Sequence, residues 1–425
     1  MTASASDEKP YNLLIHSARQ VVQVVSNGAR LLAGTDMGQV AVIQHRFDVG
    51  GILEGVSVVV NSDGMIAAVG YDKEISTRYP ASEFKQVIDA TGQCVLPGLI
   101  DGHTHPVWAG DRVHEFSMKL AGASYMDIHK AGGGIYFTVD HTRAASEEEL
   151  YVSLKERLNL MLKNGTTTAE VKSGYGLDLE NELKLLRVLH RAKKECPIGL
   201  SITYCGAHAV PKGMTAEVAT DEIIKDHLPR IKAEIDAGSL QGRFLERGKA
   251  FGMAGNFTAE ELSYLGGAEM GAEVGATGIS HLEEISPEGI TKMAAAGSVA
   301  VLLPTTAFLM RLTPPPVRKM ISGGVAVALG SDFNPNAYCL SMPIVMHLAA
   351  VTFHMSLPET LVAATINAAA SLNLAHSHGS IEVGKVADLL LITAPSWEHL
   401  TYQLGNASLI ATVVKSGAVV YSENN

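Results

Sequence analysis

The chain has 425 residues, 47% of them hydrophobic and 18% charged, with 44 acidic against 33 basic side chains and a formal net charge of −11 at pH 7. That length supplies a large core and suggests two or three domain-sized units, and the composition excludes disordered and collagen-like chains. The acidic balance argues against a broad phosphate-binding surface, and so against nucleic acid as a partner, while leaving room for a small anionic ligand that needs one or two cations.

Residues 1–10 read as a flexible tail, and the first eleven residues hold no apolar signal core. No stretch approaches the ~18 unbroken apolar residues that cross a bilayer. Cys94, Cys196, Cys205 and Cys339 are scattered without CxxC spacing, which predicts buried reduced thiols. A cytoplasmic protein with no membrane association is the expectation.

Up to about residue 96 short apolar runs alternate with turn residues. Residues 56–60 and 65–69 flank Asn61-Ser62-Asp63-Gly64 and predict a hairpin. The middle, residues 97–375, alternates apolar strands with amphipathic helices, which implies parallel βα units. One helix is marked by a capping box, Ser146 with Glu149, followed by Leu150, Leu154, Leu158, Met161 and Leu162 on one face. Strands are predicted at 94–101, 166–171, 199–204, 254–257, 277–280, 299–303 and 325–329, and helices at 220–235 and near 244–251. These seven strands suit a (β/α)₈ barrel, which needs eight; the run 236–243, where another would fall, is too polar to predict one. The end of the chain returns to β style at 387–392, 409–414 and 418–421. The predicted fold is therefore α/β: a TIM-like barrel over 97–375, one strand degenerate or missing, with a small β-sandwich built from 1–96 and 376–425.

Chemistry gathers at strand ends. The apolar run closing in Asp101-Gly102-His103-Thr104-His105 projects two imidazoles from one side of a strand's end. In a parallel barrel that is the C-terminal face, where active sites form, and neutral imidazoles there suit Zn²⁺ or Fe²⁺. The run 325–329 delivers Asp332 at the last barrel position, beside the first. Alone, Ser331-Asp332 would read as a helix cap; opposite the two histidines, Asp332 is placed to bind the metal or accept a proton from water. Residues 277–280 lead into His281, which reads either as a satisfied core histidine or as a donor to a developing oxyanion.

These blocks, together with Trp108-Ala109-Gly110-Asp111-Arg112, Gly132-Gly133-Gly134-Ile135, Glu170-Val171-Lys172-Ser173-Gly174-Tyr175-Gly176-Leu177, Gly206-Ala207-His208 and Ser331-Asp332-Phe333-Asn334-Pro335-Asn336, resemble the imidazolonepropionase family of the amidohydrolase superfamily. The resemblance implies hydrolysis of 4-imidazolone-5-propanoate to N-formimidoyl-L-glutamate in histidine degradation. It implies one Zn²⁺ or Fe²⁺/Fe³⁺ ion at His103, His105 and Asp332. Arg112 would hold the substrate carboxylate by a bidentate fork; Tyr175, His208, Asn334, Asn336 and Ala337 would contact substrate or product. His281 would steady the oxyanion, while Glu261, helped by Asp332, would move the proton. A homodimer is the default assembly.

One departure stands out. The family carries a metal-binding histidine in a His-Ala-Asp/Glu-Glu run, where this chain has Thr258-Ala259-Glu260-Glu261. A hydroxyl is a poor ligand beside imidazole, so weak metal binding is expected. Alternative readings are a variant that binds ligand without turnover, and another cyclic amidohydrolase or deaminase.

Overall fold

A computed structural model of the chain describes residues 9–123, 125–238, 240 and 255–423. Most of the proposed tail, the helix expected near 244–251, and residues 239 and 241–243 of the polar run lie outside the described residues.

The N-terminal strands are β1 (Tyr11–Ala18), β2 (Gln20–Val24), β3 (Ala41–Gln44), β4 (Val56–Asn61), β5 (Ile66–Tyr71), β6 (Phe84–Asp89) and β7 (Cys94–Pro97). The central strands are β8 (Leu99–Asp101), β9 (Thr166–Lys172), β10 (Gly199–Thr203), β11 (Asn256–Ala259), β12 (Gly278–His281), β13 (Val299–Leu302) and β14 (Ala326–Leu329). Last come β15 (Leu389–Ile392), β16 (Ile410–Lys415) and β17 (Ala418–Ser422).

The terminal segments share two sheets, ordered β5-β4-β1-β6 and β17-β16-β15-β7-β2-β3. Leu13, Ile15, Val58 and Val60 of the first pack against Val21, Val95, Leu389, Leu391 and Val414 of the second. Each such fully buried side chain contributes roughly 1.5–3 kcal/mol. The expected hairpin forms, with Val58 opposite Val69 and Val59 opposite Ala68. Its turn is closed by Asn61 Oδ1, which accepts from the backbone N–H of Asp63 and Met65. Gly64 there has φ +76°, and a Cβ would stand 2.1 Å from the carbonyl of Ser416, so only glycine lets the two ends of the chain meet.

The central strands are parallel, in two runs: β8-β9-β10 and β11-β12-β13-β14. The last closes on the first: Gly102 N–H donates to Leu329 O (3.1 Å), Asp332 N–H to His103 O (2.9 Å) and His105 N–H to Phe333 O (2.9 Å). Between β10 and β11 the described residues are joined by a buried side chain. Glu170 Oε1 accepts from Thr203 Oγ1 (2.7 Å) and Asn256 Nδ2 (2.6 Å), and its other oxygen pairs with Lys172 (2.5 Å).

The strand expected over 94–101 is in fact two, which corrects the sequence reading. Pro97-Gly98 divides it, β7 pairing with β15 in the sandwich and β8 with β9 in the barrel. At Gly98 a Cβ would lie 2.2 Å from Thr167 Oγ1, so the chain changes sheets where only glycine fits. Four helices bear on the site: α1 (Val113–Leu120), α2 (Ile135–Ala144), α3 (Glu147–Lys163) and α4 (Leu179–Glu195). The capping box opens α3 as expected, and its five apolar residues are buried. The helix expected over 220–235 runs from Ala216 to Asp236 with a π-type turn at Ile223–His227, just before Pro229, which cannot donate a helical hydrogen bond. Among the described residues no helix is long and apolar enough to cross a membrane.

Candidate active site

The C-terminal ends of the parallel strands converge on one cavity of about 410 Å³. Its wall carries His105, Arg112, Tyr175, His208, Thr258, Glu261, His281, Asp332, Asn334 and Asn336, all of them singled out in the sequence. His103 is fully buried beside them, 3.2 Å from His105 between the two Nε2 atoms. Ala337 is buried away from the wall, its N–H donated to Asn334 Oδ1.

Asp332 Oδ1 lies 3.5 Å from His103 Nε2 and 3.8 Å from His105 Nε2. Burial holds both imidazoles well below their ordinary pKa, which is the neutral, ligating form. Ser280 Oγ lies 2.9 Å from His103 Nδ1; with the ring proton on that nitrogen, the Nε2 lone pair of His103 faces the other two donors. A tetrahedral cation with bonds of about 2.0–2.2 Å spaces its ligands roughly 3.3–3.6 Å apart. The observed gaps of 3.2, 3.5 and 3.8 Å bracket that spacing, so the three residues fit a metal ion.

The backbone around these donors is braced. Asp101 accepts from Ser331 N–H (2.9 Å), Ser331 Oγ (2.5 Å) and His103 N–H (3.3 Å), tying the first barrel strand to the last. Burial lifts its carboxyl to about 7 despite those bonds. Thr306 Oγ1 donates to Asp332 Oδ2 (2.6 Å), and Asn334 Nδ2 to the Asp332 carbonyl (2.6 Å). His281, Leu282 and Asp332 all have positive φ (74°, 73° and 47°), local strain held at strand tips by the surrounding contacts.

His281 stands between two carboxylates, its Nε2 3.9 Å from Glu261 and its Nδ1 3.7 Å from Glu283. Burial alone would lower its pKa; Glu283, Glu261 and Asp332 outweigh burial and lift it to about 9. Burial raises the Glu261 and Asp332 carboxyls. His208 stacks on His105 with centroids 4.4 Å apart, and burial brings it down to about 4. Tyr175 rides on a loop whose N–H groups at Gly174, Gly176 and Leu177 all donate to buried Glu182 of α4.

Several of these partners escaped the sequence reading. Thr306 and Glu182 carry no local signal, and Asp101 and Ser280, though they lie in the motifs read above, act through contacts that exist only after folding. Arg112, expected to hold the substrate carboxylate, lines the cavity and also donates through Nε and Nη2 to buried Glu115 (2.9 and 2.6 Å).

Comparison with known proteins places this geometry. The Amidohydrolase family model matches residues 258–420. Among solved structures, an E. coli guanine deaminase superposes with TM-score 0.64 at 16% identity, covering 97% of this chain and 100% of its own. A triazine hydrolase variant does so with TM-score 0.70 at 14% identity, covering 97% and 95%. The fold is that of the amidohydrolases, a barrel-like α/β body with an attached β-rich part. Curated relatives narrow the class. A probable imidazolonepropionase of Nematostella vectensis is 55% identical over 97% of this chain and 99% of its own length, and that of Homo sapiens is 53% identical over the same shares. A Dictyostelium discoideum relative of the same name is 48% identical over 98% and 99%. The chain belongs to the imidazolonepropionase family.

Proposed function

We propose that the chain hydrolyses 4-imidazolone-5-propanoate to N-formimidoyl-L-glutamate, a step of histidine degradation. The observation that carries this reading is the convergence of His103 Nε2, His105 Nε2 and Asp332 Oδ1 in a cavity that also holds a buried arginine and an acid–base pair. In this reading residues 97–375 are the catalytic part, and the sandwich of 1–96 with 376–425 supports it.

His103, His105 and Asp332 would hold one Zn²⁺ or Fe²⁺/Fe³⁺ ion, which supplies Lewis acidity and acidifies water when bound. Arg112 takes the propionate carboxylate and so fixes the ring in the cavity. Tyr175 and His208 form the wall against the ring. Asn336 contacts substrate or product, and Asn334 with Ala337 builds the turn that presents it. His281, protonated between its carboxylates, donates a hydrogen bond to the ring carbonyl oxygen as that oxygen gains charge. Water oxygen joins the carbonyl carbon and the ring C–N bond breaks. Glu261, assisted by Asp332, takes the water proton and returns it to the leaving nitrogen, a task suited to a carboxyl raised toward neutrality.

Incubation of the metal-replete chain with the imidazolone, followed by mass spectrometry, tests the proposal. Chain-dependent formation of formimidoylglutamate is expected. Substrate bound but unconverted would instead identify a binding protein in which Thr258 has replaced a needed ligand.

A further inference from the structure

The motif Gly132-Gly133-Gly134 has no part in the chemistry above, and Glu115 stands beside it. Glu115 is 1% exposed, and both its oxygens are engaged. Oε2 accepts from Arg112 Nε (2.9 Å) and Nη2 (2.6 Å); Oε1 accepts from Gly134 N–H (2.8 Å). A Cβ on Gly133 would lie 2.8 Å from Glu115 Oε1 and 2.8 Å from Ile128 Cγ2, so the glycine loop is shaped around this carboxylate. One turn further along α1, Lys119 donates to Asn336 Oδ1, which joins the same helix to the cavity wall.

Resting on the function proposed above, we propose that Glu115 is a positioning residue: it clamps the side edge of the Arg112 guanidinium and leaves the Nη1/Nη2 edge to receive a ligand carboxylate, making the cavity selective for heterocycles with a short anionic arm. Arg112 lines the cavity, and among the described residues Nη1 makes no hydrogen bond. A guanidinium has two edges for bidentate contact, so a clamp on one orients the other. A buried arginine also needs a counter-charge before ligand arrives, which Glu115 supplies. The charge of Glu115 opposes anion binding, whereas its geometry favours it. A misplaced fork forfeits a charge-assisted hydrogen bond, and the proposal requires that loss to exceed the gain from removing the charge.

Titration calorimetry on the full-length protein separates the two, with 3-(imidazol-4-yl)propanoate and neutral 4-propylimidazole as probes. Glu115→Gln has one acceptor oxygen and cannot serve both Arg112 and Gly134. Gly133→Ala displaces the carboxylate while keeping its charge. Both variants are expected to bind the acid about ten-fold more weakly and the neutral probe unchanged. The proposal is overturned if the acid binds the variants as tightly as the unmodified protein, if both probes weaken equally, or if the unmodified protein does not prefer the acid. Binding needs no turnover, so an unmodified chain that fails to convert the imidazolone sinks the function above and leaves this titration decisive.

Discussion

Thr258 sits on β11 directly opposite Ser280, the residue that orients His103, and it lines the same cavity as His105 and Asp332. Placing an imidazole there adds a fourth protein donor of the right chemistry. Thr258→His is therefore expected to tighten Zn²⁺ binding by at least about ten-fold, measured by competition with a chromophoric chelator. Unchanged affinity would mean that residue 258 does not face the ion. At this scale the sequence shows donors more readily than their supports. His103 and His105 are legible because two ligands of one kind follow one apolar strand. Ser280 is not legible, because 177 residues separate it from the imidazole it orients. Glu115 was hidden for another reason: an acid three residues after an arginine reads as an ordinary surface pair, and only folding shows it buried.

Among the elements, α3 is legible in the sequence because its signals are local. Ser146 Oγ accepts from Glu149 N–H, and Glu149 Oε2 accepts from Ser146 N–H (2.9 Å). Ser146→Ala should lower stability at neutral pH by about 1 kcal/mol in urea unfolding. The Glu149 carboxyl is held below its ordinary value by its bonds from Ser146. Its stabilisation is thus complete above the unfolded value of about 4.3 and is lost as pH falls through the lower folded value. The cost of Ser146→Ala should shrink as pH falls below about 4.3; a cost independent of pH would exclude the carboxylate from the cap. The division of 94–101 into two strands is not legible in the sequence, because apolar character runs unbroken through Pro97-Gly98. Nothing in that pattern shows that Leu389–Ile392 will claim only its first half.

For the molecule as a whole, the segments before and after the barrel fold as partners. Leu391 is fully buried between the sandwich sheets and opposite Val95 of β7, whose chain runs on through Gly98 into β8 and then to His103 and His105 just beyond it. Leu391→Ala should destabilise the chain by roughly 2–5 kcal/mol in denaturant unfolding and leave KM unchanged at temperatures where it stays folded. A loss below about 1 kcal/mol would show that the sandwich contributes little. The bracketing of a βα body by two β segments was legible in composition and turn residues. The meeting of β14 with β8 is legible in the predicted strand ends, whereas among the described residues β10 and β11 meet through the Glu170 side chain, which no periodicity announces.

The claim on which all three scales depend is that His103, His105 and Asp332 share one cation. Elemental analysis of the purified chain beside its His103→Ala variant tests it most directly. After both are equilibrated with the same excess of Zn²⁺, about one Zn per unmodified chain, falling to near zero in the variant, is the predicted result. Equal metal content in the two proteins would contradict it.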